Sequence, residues 1–549
     1  MILINFLFYI SFLSIIIIGV DYKMKKNGFM EGAIIATIAI IVTKVLGVIY
    51  VIPFYKIIGE QGGALYGYAY NIYNIFLIIS SAGIPLAISK LTSEYETLKE
   101  YDKKNEMYNI SKKFIYFFSL FSFLLCFLFA KPLAKLIIGN LTGGNTIEDV
   151  CFVIRCISFA LLVVPLLSIY RGYLQGHKYI EASSKSQVIE QVVRIFFILV
   201  GSYLCIKVFH LKITYAVGIS VFSCAIGALI SYIYLIIKTK KTGIVKKYNN
   251  VAKKDKKEIL IKIIGYCIPF IIINISNSIY NTTDMILIIK GLSKLGFTAN
   301  DVETISSIFT TWGSKFVTVV KSFATGLTIS LIPSLVNAYV SKDMKRANHY
   351  FNSSLKVLLY IITPLTIFLS IFSNEIWNLF YGKSFYGPII FKYIILVAIL
   401  DSAYIIFFSA LQGLYKKKLI YISSITGITV NALLDLPLMY LFNNLGIYPF
   451  YGAITATVIG YIISLGIPII VLHNKDGFRY NETIKSIPKC FISIFIAIVI
   501  CLIYKRVMPS PNGFITTFVY LTFIGLISLS IYFIINKKTL LKLLRDKKD

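Results

Sequence analysis

Continuous apolar runs of roughly 18 to 25 residues recur from one end of this chain to the other, each long enough to cross a hydrocarbon core of about 30 Å as an α-helix. Barrel strands alternate apolar and polar residues, and these runs do not, so an all-α polytopic membrane protein is predicted. Composition agrees: 57% of the 549 residues are hydrophobic and 15% charged. A soluble chain of this length would form about two to four domains and need far more polar surface.

The runs place about fourteen spans at 32–57, 67–91, 113–138, 150–171, 185–206, 213–237, 262–289, 306–338, 354–374, 390–413, 419–442, 451–472, 487–504 and 513–536. Alternate loops differ sharply in charge. One set, which includes Lys23 to Lys26, 99–113, 171–185, 238–262, 342–356, 416–418, 475–489 and the tail 537–548, holds about 38 lysines and arginines, and the opposite set about ten. The positive-inside rule puts the more basic set in the cytoplasm of a bacterial plasma membrane. Both ends are then cytoplasmic if the chain is counted from Met24, which requires an even number of spans. Residues 1–23 form a hydrophobic extension without a basic leader, read either as an extra helix or as translation from an upstream start.

Short matches at a nearly constant offset point to duplication. Ser81-Ala82-Gly83-Ile84 pairs with Ala324-Thr325-Gly326-Leu327, and Leu136 to Gly139 pairs with Leu379 to Gly382. Leu174-Gln175-Gly176 pairs with Leu411-Gln412-Gly413, and Ser183-Ser184 with Ser423-Ser424. Each repeat holds an even number of spans, so both enter from one side. Two six-helix lobes related by a pseudo-twofold axis along the membrane normal, with a cavity between them, are expected. The domain reading is a lobe at 24–237, a basic cytoplasmic linker at 238–261, a second lobe at 262–474, two added helices at 475–536 and a basic tail at 537–549. The linker reads as a tether beside anionic lipids.

Several function classes are disfavoured. The net charge of +30 is spread between apolar runs rather than gathered on a basic aqueous domain, so nucleic acid is not an expected partner. The eight cysteines lie in or beside apolar runs without a C-x-x-C, and the four histidines do not cluster, so neither a disulfide framework nor a zinc site is indicated. Gly382-Lys383-Ser384 resembles the end of a phosphate loop, but Trp377 stands where its first glycine belongs. No catalytic constellation sits on a soluble segment. The chain reads as a transporter rather than an enzyme.

Ionisable groups at mid-membrane cost about 2.5–3.5 kcal/mol on insertion scales, so they face a cavity or a partner. The first lobe carries Lys44, Lys90, Arg155, Glu190 and Arg194, and the second Asp284, Lys315, Lys321, Asp401 and Asp435. Lys44 lies too deep to snorkel easily and is a candidate for an anionic ligand; Lys90 and Arg155 lie nearer span ends. Glu190 and Arg194 stand one helical turn apart and are expected to pair, as a structural bridge or a gate. Lys315 and Lys321, six apart, do not share a helix face. Asn431 and Asp435 do share one, and with Asp284 and Thr457 they offer hard oxygen ligands for a small cation; the alternative is an Asn/Asp pair satisfying backbone broken near Pro437.

The run from Thr43-Lys44-Val45-Leu46-Gly47 through Val51-Ile52-Pro53-Phe54-Tyr55, Gly62 to Gly67 and Ala82 to Lys90 resembles the opening of a known group. That group is the polysaccharide-biosynthesis branch of the multidrug/oligosaccharidyl-lipid/polysaccharide (MOP) exporter superfamily. The likeness is greatest to its MurJ-type lipid II flippases of Firmicutes and to stage V sporulation protein B, and extends over nearly the whole chain from Met24. The resemblance implies alternating-access movement of an undecaprenyl-pyrophosphate-linked cell-wall precursor from the inner to the outer leaflet, driven by membrane potential or an ion gradient. It implies head-group contacts from Lys44, Arg155, Arg194, Lys315 and Lys321, no cofactor, and a candidate sodium site at Asp284, Asn431, Asp435 and Thr457. A monomer working beside the cell-wall synthesis machinery is expected. Lys44 replaces the arginine of the family's S-R-x-L-G motif, which keeps the charge but not a bidentate grip, and Tyr50 replaces a second basic residue. The competing readings are an exporter of another lipid-linked polysaccharide unit and a cation-coupled multidrug antiporter, which would line the first lobe with acids.

Overall fold

The computed structural model describes residues 42–81, 83–139, 143–242, 253–509 and 511–545, together with positions 35, 39 and 141. The extension at 1–23, part of the first expected span, most of the basic stretch at 238–261 and the end of the tail lie outside the described residues. Every regular element among the described residues is helical. In chain order they are α1 (Val42–Ile49), α2 (Val51–Ser81), α3 (Ile84–Thr97), α4 (Tyr101–Leu128), α5 (Ala130–Ile138), α6 (Ile147–Ser158), α7 (Ala160–Gly176), α8 (Ile180–Tyr203) and α9 (Ile213–Thr242). There follow α10 (Lys253–Lys294), α11 (Ala299–Ser307), α12 (Gly313–Val340), α13 (Met344–Val357), α14 (Thr363–Ile371), α15 (Ser373–Tyr381), α16 (Tyr386–Gly413), α17 (Lys417–Asn444), α18 (Phe450–Asp476), α19 (Asn481–Val507) and α20 (Phe514–Arg545). Ten helices among the described residues are long and apolar enough to cross a membrane, or eleven if α1 and α2, bent by 48°, form one broken span. The expected fourteen is not reached by that measure. The seventh expected span falls inside α10, which carries Asp284, and the eighth runs from the end of α11 through a π-helical turn at Ile308–Trp312 into α12, which carries Lys315 and Lys321.

The chain divides into two compact units, Met1–Thr282 and Thr283–Asp549. The division falls within α10, later than the expected linker. The first part of α10 packs on the first unit: Ile259, Ile263 and Cys267 bury against Ile84, Ile88, Leu91 and Met107. Lys256 pairs with Glu106 at 2.9 Å, and Lys90 sits 4.2 Å from the Tyr266 ring centroid.

The duplication appears in the backbone itself. Lys99 and Lys342, 243 residues apart, are left-handed at φ 60° and 59°, and each closes a helix with the same pair of bonds: Lys99 N to Glu96 O and Glu100 N to Tyr95 O, then Lys342 N to Tyr339 O and Asp343 N to Ala338 O. Lys178 and Tyr415, 237 apart, repeat this at φ 67° and 57°. Gly139 and Gly382 both have positive φ at offset 243. These are the offsets of the sequence matches, so both halves turn at the same points.

Close helix approach is set by small residues, as expected where no hydrophobic force drives helices together in lipid. A Cβ on Gly172 would lie 2.5 Å from Pro85 O, so α7 can press on the start of α3 only with glycine there. In the second unit, a Cβ on Gly452 would meet Leu438 O and Met439 N at 2.5 Å. That contact holds α18 tight against α17.

In the second unit α19 is pinned to α13 by a buried asparagine. Asn352 donates to Arg479 O at 2.8 Å and accepts from Thr483 Oγ1 at 2.7 Å and Thr483 N at 3.1 Å. Lys356 pairs with Glu482 at 2.7 Å. The two added helices are thereby fixed to the unit they follow.

Candidate functional site

In the first unit the ionisable residues sort into two sets, and not as the sequence spacing implied. Glu190 and Arg194 do not pair. Arg171, on α7, donates from Nη2 to Glu190 Oε2 at 2.7 Å, and its Nε donates to Ser186 Oγ at 2.8 Å. The same Nη2 lies 3.3 Å from Ser231 Oγ. A planar guanidinium satisfies several acceptors in one plane, so Glu190 is captured across helices rather than by its neighbour one turn away.

Arg194 points instead at phenols of α2. Its Nη2 donates to Tyr70 Oη at 2.6 Å and lies 3.4 Å from Tyr66 Oη, with the guanidinium carbon 5.3 Å from the Tyr70 ring centroid. The Tyr66 and Tyr70 rings are 4.5 Å apart, and Tyr70 Oη is 2.6 Å from Cys224 Sγ. Gly227 makes room: a Cβ there would be 2.7 Å from Glu190 O and 3.2 Å from Arg194 Cβ. Among the described residues no carboxylate pairs with Arg194. Hydroxyls and a ring face solvate the cation without cancelling its charge.

Lys44 is half-buried on α1. One turn on, a Cβ at Gly47 would be 3.6 Å from Gln191 Nε2, so α1 packs on the stretch of α8 that carries Glu190 and Arg194. Arg155 is elsewhere. It is exposed on α6, stacked 5.3 Å from the Phe127 ring centroid, and the Arg194 cluster does not include it.

In the second unit, Lys315 is half-buried in the first turn of α12, directly after a π-helical turn at Ile308–Trp312. Lys321 is ion-paired with Asp401 of α16 at 2.5 Å. The residues read as cation ligands do come together. Asn431 Nδ2 donates to Asp284 Oδ1 at 2.9 Å, and Thr457 Oγ1 donates to Asp284 Oδ2 at 3.0 Å. Asp435, one turn along α17 from Asn431, is fully buried. Both oxygens of Asp435 and Oδ1 of Asn431 are buried without a hydrogen-bond partner. Two carboxylates, an amide carbonyl and a hydroxyl are hard donors, and the orphaned oxygens suit a small hard cation. Among the described residues no group of three or more His, Cys, Asp and Glu is gathered as a soft-metal site would need.

A sequence model described as polysaccharide biosynthesis protein matches residues 29–305, just over half of the chain. Lipid II flippase MurJ of Bacillus subtilis (strain 168) is 30% identical over 470 residues, covering 84% of this chain and 85% of that relative. The chain belongs to the polysaccharide biosynthesis protein family. Another relative is stage V sporulation protein B of the same organism, 24% identical over 364 residues, or 66% of this chain and 68% of that protein. Among solved structures, lipid II flippase MurJ in an inward closed conformation superposes with TM-score 0.64 at 16% identity, covering 92% of this chain and all of the other. An inward-facing multidrug resistance MATE family transporter of the MOP superfamily gives 0.58 at 14%, covering 79% and 96%. At those identities the structural likeness shows the fold alone: the chain is folded like these proteins.

Three residues of this family member escaped the sequence reading. Arg171 stood at the end of a span and was taken with the loop charges. Tyr66 and Tyr70 are one helical turn apart on α2, a spacing that marks a shared face, yet aromatic residues are abundant enough in this chain to hide it.

Proposed function

We propose that this protein is a lipid II flippase, a transporter and not an enzyme, moving undecaprenyl-diphosphate-linked cell-wall precursor from the inner to the outer leaflet by alternating access. The observation that carries the reading is Arg194: a cation in the interior of the first unit, solvated by phenols and unmatched by any carboxylate among the described residues. An anionic diphosphate is the complement of such a charge, whereas a cationic drug is repelled by it. The 30% identity to lipid II flippase MurJ supports the same cargo. With the cell interior negative, outward movement of an anion is favoured by about 2.3 kcal/mol per charge per 100 mV.

Lys44, on the helix packed beside Arg194, joins it in facing the head group; within the second unit Lys315 and Lys321 are further cations suited to an anionic group, and Arg155 is left outside. Asp284, Asn431, Asp435 and Thr457 are the residues that would hold a sodium ion, which when bound supplies the positive charge two neighbouring buried carboxyls lack. The four side chains bring that charge near without exposing the acids to hydrocarbon. Counted from Met24, both chain ends are cytoplasmic, the basic loops lie against anionic lipid, and the protein works as a monomer beside the cell-wall synthesis machinery.

Purified protein in vesicles seeded with lipid II is expected to expose inner-leaflet lipid to an external probe, faster with the interior negative and with a sodium gradient. Exposure no faster than in protein-free vesicles would defeat the proposal.

A further inference from the structure

The ion pairs buried in this chain are not built alike. The Arg171 guanidinium that holds Glu190 is also bonded to Ser186 and Ser231. The Lys505 ammonium, paired with Glu375 at 2.9 Å, also donates to Ile371 O at 3.1 Å. Among the described residues Lys321 contacts Asp401 alone, at 2.5 Å to Oδ2, with Asp401 Oδ1 buried and without a partner; Lys416 and Asp476, also 2.5 Å apart with Asp476 Oδ2 buried and orphaned, share that build. A buried pair contributes to stability only when its remaining donors and acceptors are satisfied. Among the described residues the Lys321–Asp401 pair leaves a carboxylate oxygen orphaned and two ammonium hydrogens uncommitted.

Its exposure is lopsided. The Lys321 side chain is 23% exposed and the Asp401 side chain 10%, so the accessible member is the cation. Along α12 from Lys321, Phe323 and Thr325 are exposed, and a Cβ on Gly326 would meet no heavy atom within 4 Å. The buried face of the same helix, Phe316, Val320 and Ala324, lies one residue away around the turn. Lys321 therefore stands at the seam between packed core and open space, with its carboxylate partner behind it.

We propose that Asp401 is an internal rival for the anion that Lys321 binds, weakening the grip of the lysine on a diphosphate so that the head group is released. This rests on the flippase reading for the cargo and concerns the chemistry of this one site. Lys321 keeps free donors for an anion, so Asp401 need not let go; its negative charge, in contact with the ammonium, lowers the attraction the incoming phosphate feels. A carrier must hold its ligand firmly enough to load and loosely enough to unload, and an unscreened lysine in a low-dielectric site errs on the firm side. Asp401 is a positioning and attenuating residue, with no contact to the ligand required.

The test separates grip from turnover in the full-length protein in lipid vesicles. Acetylation of Lys321 by an amine-reactive reagent is followed by peptide mass spectrometry against rising inorganic pyrophosphate. Asp401→Asn is expected to lower the protecting concentration at least tenfold, equivalent to about 1.4 kcal/mol, while lipid II turnover falls severalfold. Asp401→Ser should act in the same direction. A structural role predicts the opposite pattern, with grip and turnover lost together. An unchanged or raised protecting concentration in the folded variants overturns the proposal. So does a failure of pyrophosphate to protect Lys321 in the wild-type protein, a measurement that needs no variant. If the wild type does not flip lipid II yet the tenfold shift is found, the cargo assignment fails and the rivalry stands. Normal flipping without the shift fails the rivalry alone.

Discussion

Replacing Arg194 and Glu190 in turn should produce opposite phenotypes, because the two residues, expected as partners from their spacing, belong to different networks. Arg194→Gln removes a charge-assisted bond to Tyr70 and a ring contact, worth about 1.5–3 kcal/mol, but also relieves the chain of an uncancelled cation in a poor solvent. The two offset, and stability should change by no more than about 1 kcal/mol. Its effect on an anion is larger. A phosphate held about 6 Å from the guanidinium at an effective dielectric of about 20 gains about 3 kcal/mol, so the variant should bind the head group roughly a hundredfold more weakly. Glu190→Gln reverses the balance. It leaves Arg171, whose side chain is 15% exposed, without its carboxylate, at a cost of about 2–3 kcal/mol once Ser186 and Ser231 retain their share. At roughly 2–4 °C per kcal/mol, the melting temperature should fall by about 4–12 °C. The assay pairs lipid II exposure in vesicles with a thermal melt of the same preparations. Arg194→Gln should melt normally and transport poorly, and Glu190→Gln should melt early. A destabilised Arg194→Gln beside a normally stable Glu190→Gln would refute the partner assignment, and normal lipid II affinity in Arg194→Gln would refute the anion role.

Sodium is expected to raise the melting temperature of the wild-type protein over potassium at equal ionic strength, and Asp435→Asn or Asn431→Leu should abolish that increment; an undiminished increment would remove these residues from the cation site. Gly452→Ala forces a Cβ into the Leu438 carbonyl, so it should cost about 1–3 kcal/mol and blunt the sodium response, since Thr457 of α18 stays 3.5 Å from Asn431 of α17 only while the two helices lie close. A normal melt and sodium response would show that the helices part without consequence. Arg155→Gln should leave lipid II turnover within about twofold of wild type, because Arg155 is stacked on Phe127 away from the Arg194 cluster; a larger loss would restore it to the head-group set.

The membrane class, the all-helical build and the duplication were legible in the sequence because each depends on local chemistry. An apolar run of span length has few alternatives to a helix in lipid, and a turn residue marks its place wherever the chain stops. The 243 and 237 offsets read from short matches reappear as paired left-handed turns at Lys99 and Lys342 and at Lys178 and Tyr415. The grouping of Asp284, Asn431 and Thr457 was also legible, since Asn431 and Asp435 share one face by spacing alone and acids in apolar runs need company. The unit boundary was not. The first part of α10 follows Ile84 to Met107 into the first unit, a matter of which apolar surface fits it and not of where basic residues accumulate.

What the sequence by itself determined is the inventory: which segments are helices in lipid, where the repeats begin, and which charges must find partners. What only tertiary structure decided is who those partners are. Glu190 goes to Arg171, nineteen residues back, and Arg194 to Tyr70, more than a hundred back, though each had an oppositely charged neighbour one turn away. Helix spacing limits which residues can meet on one surface, but a glycine at 227 brings that surface against others. A cross-helix partner with better geometry then wins over the local one, because in a medium of low dielectric a well-formed hydrogen bond is worth more than mere proximity.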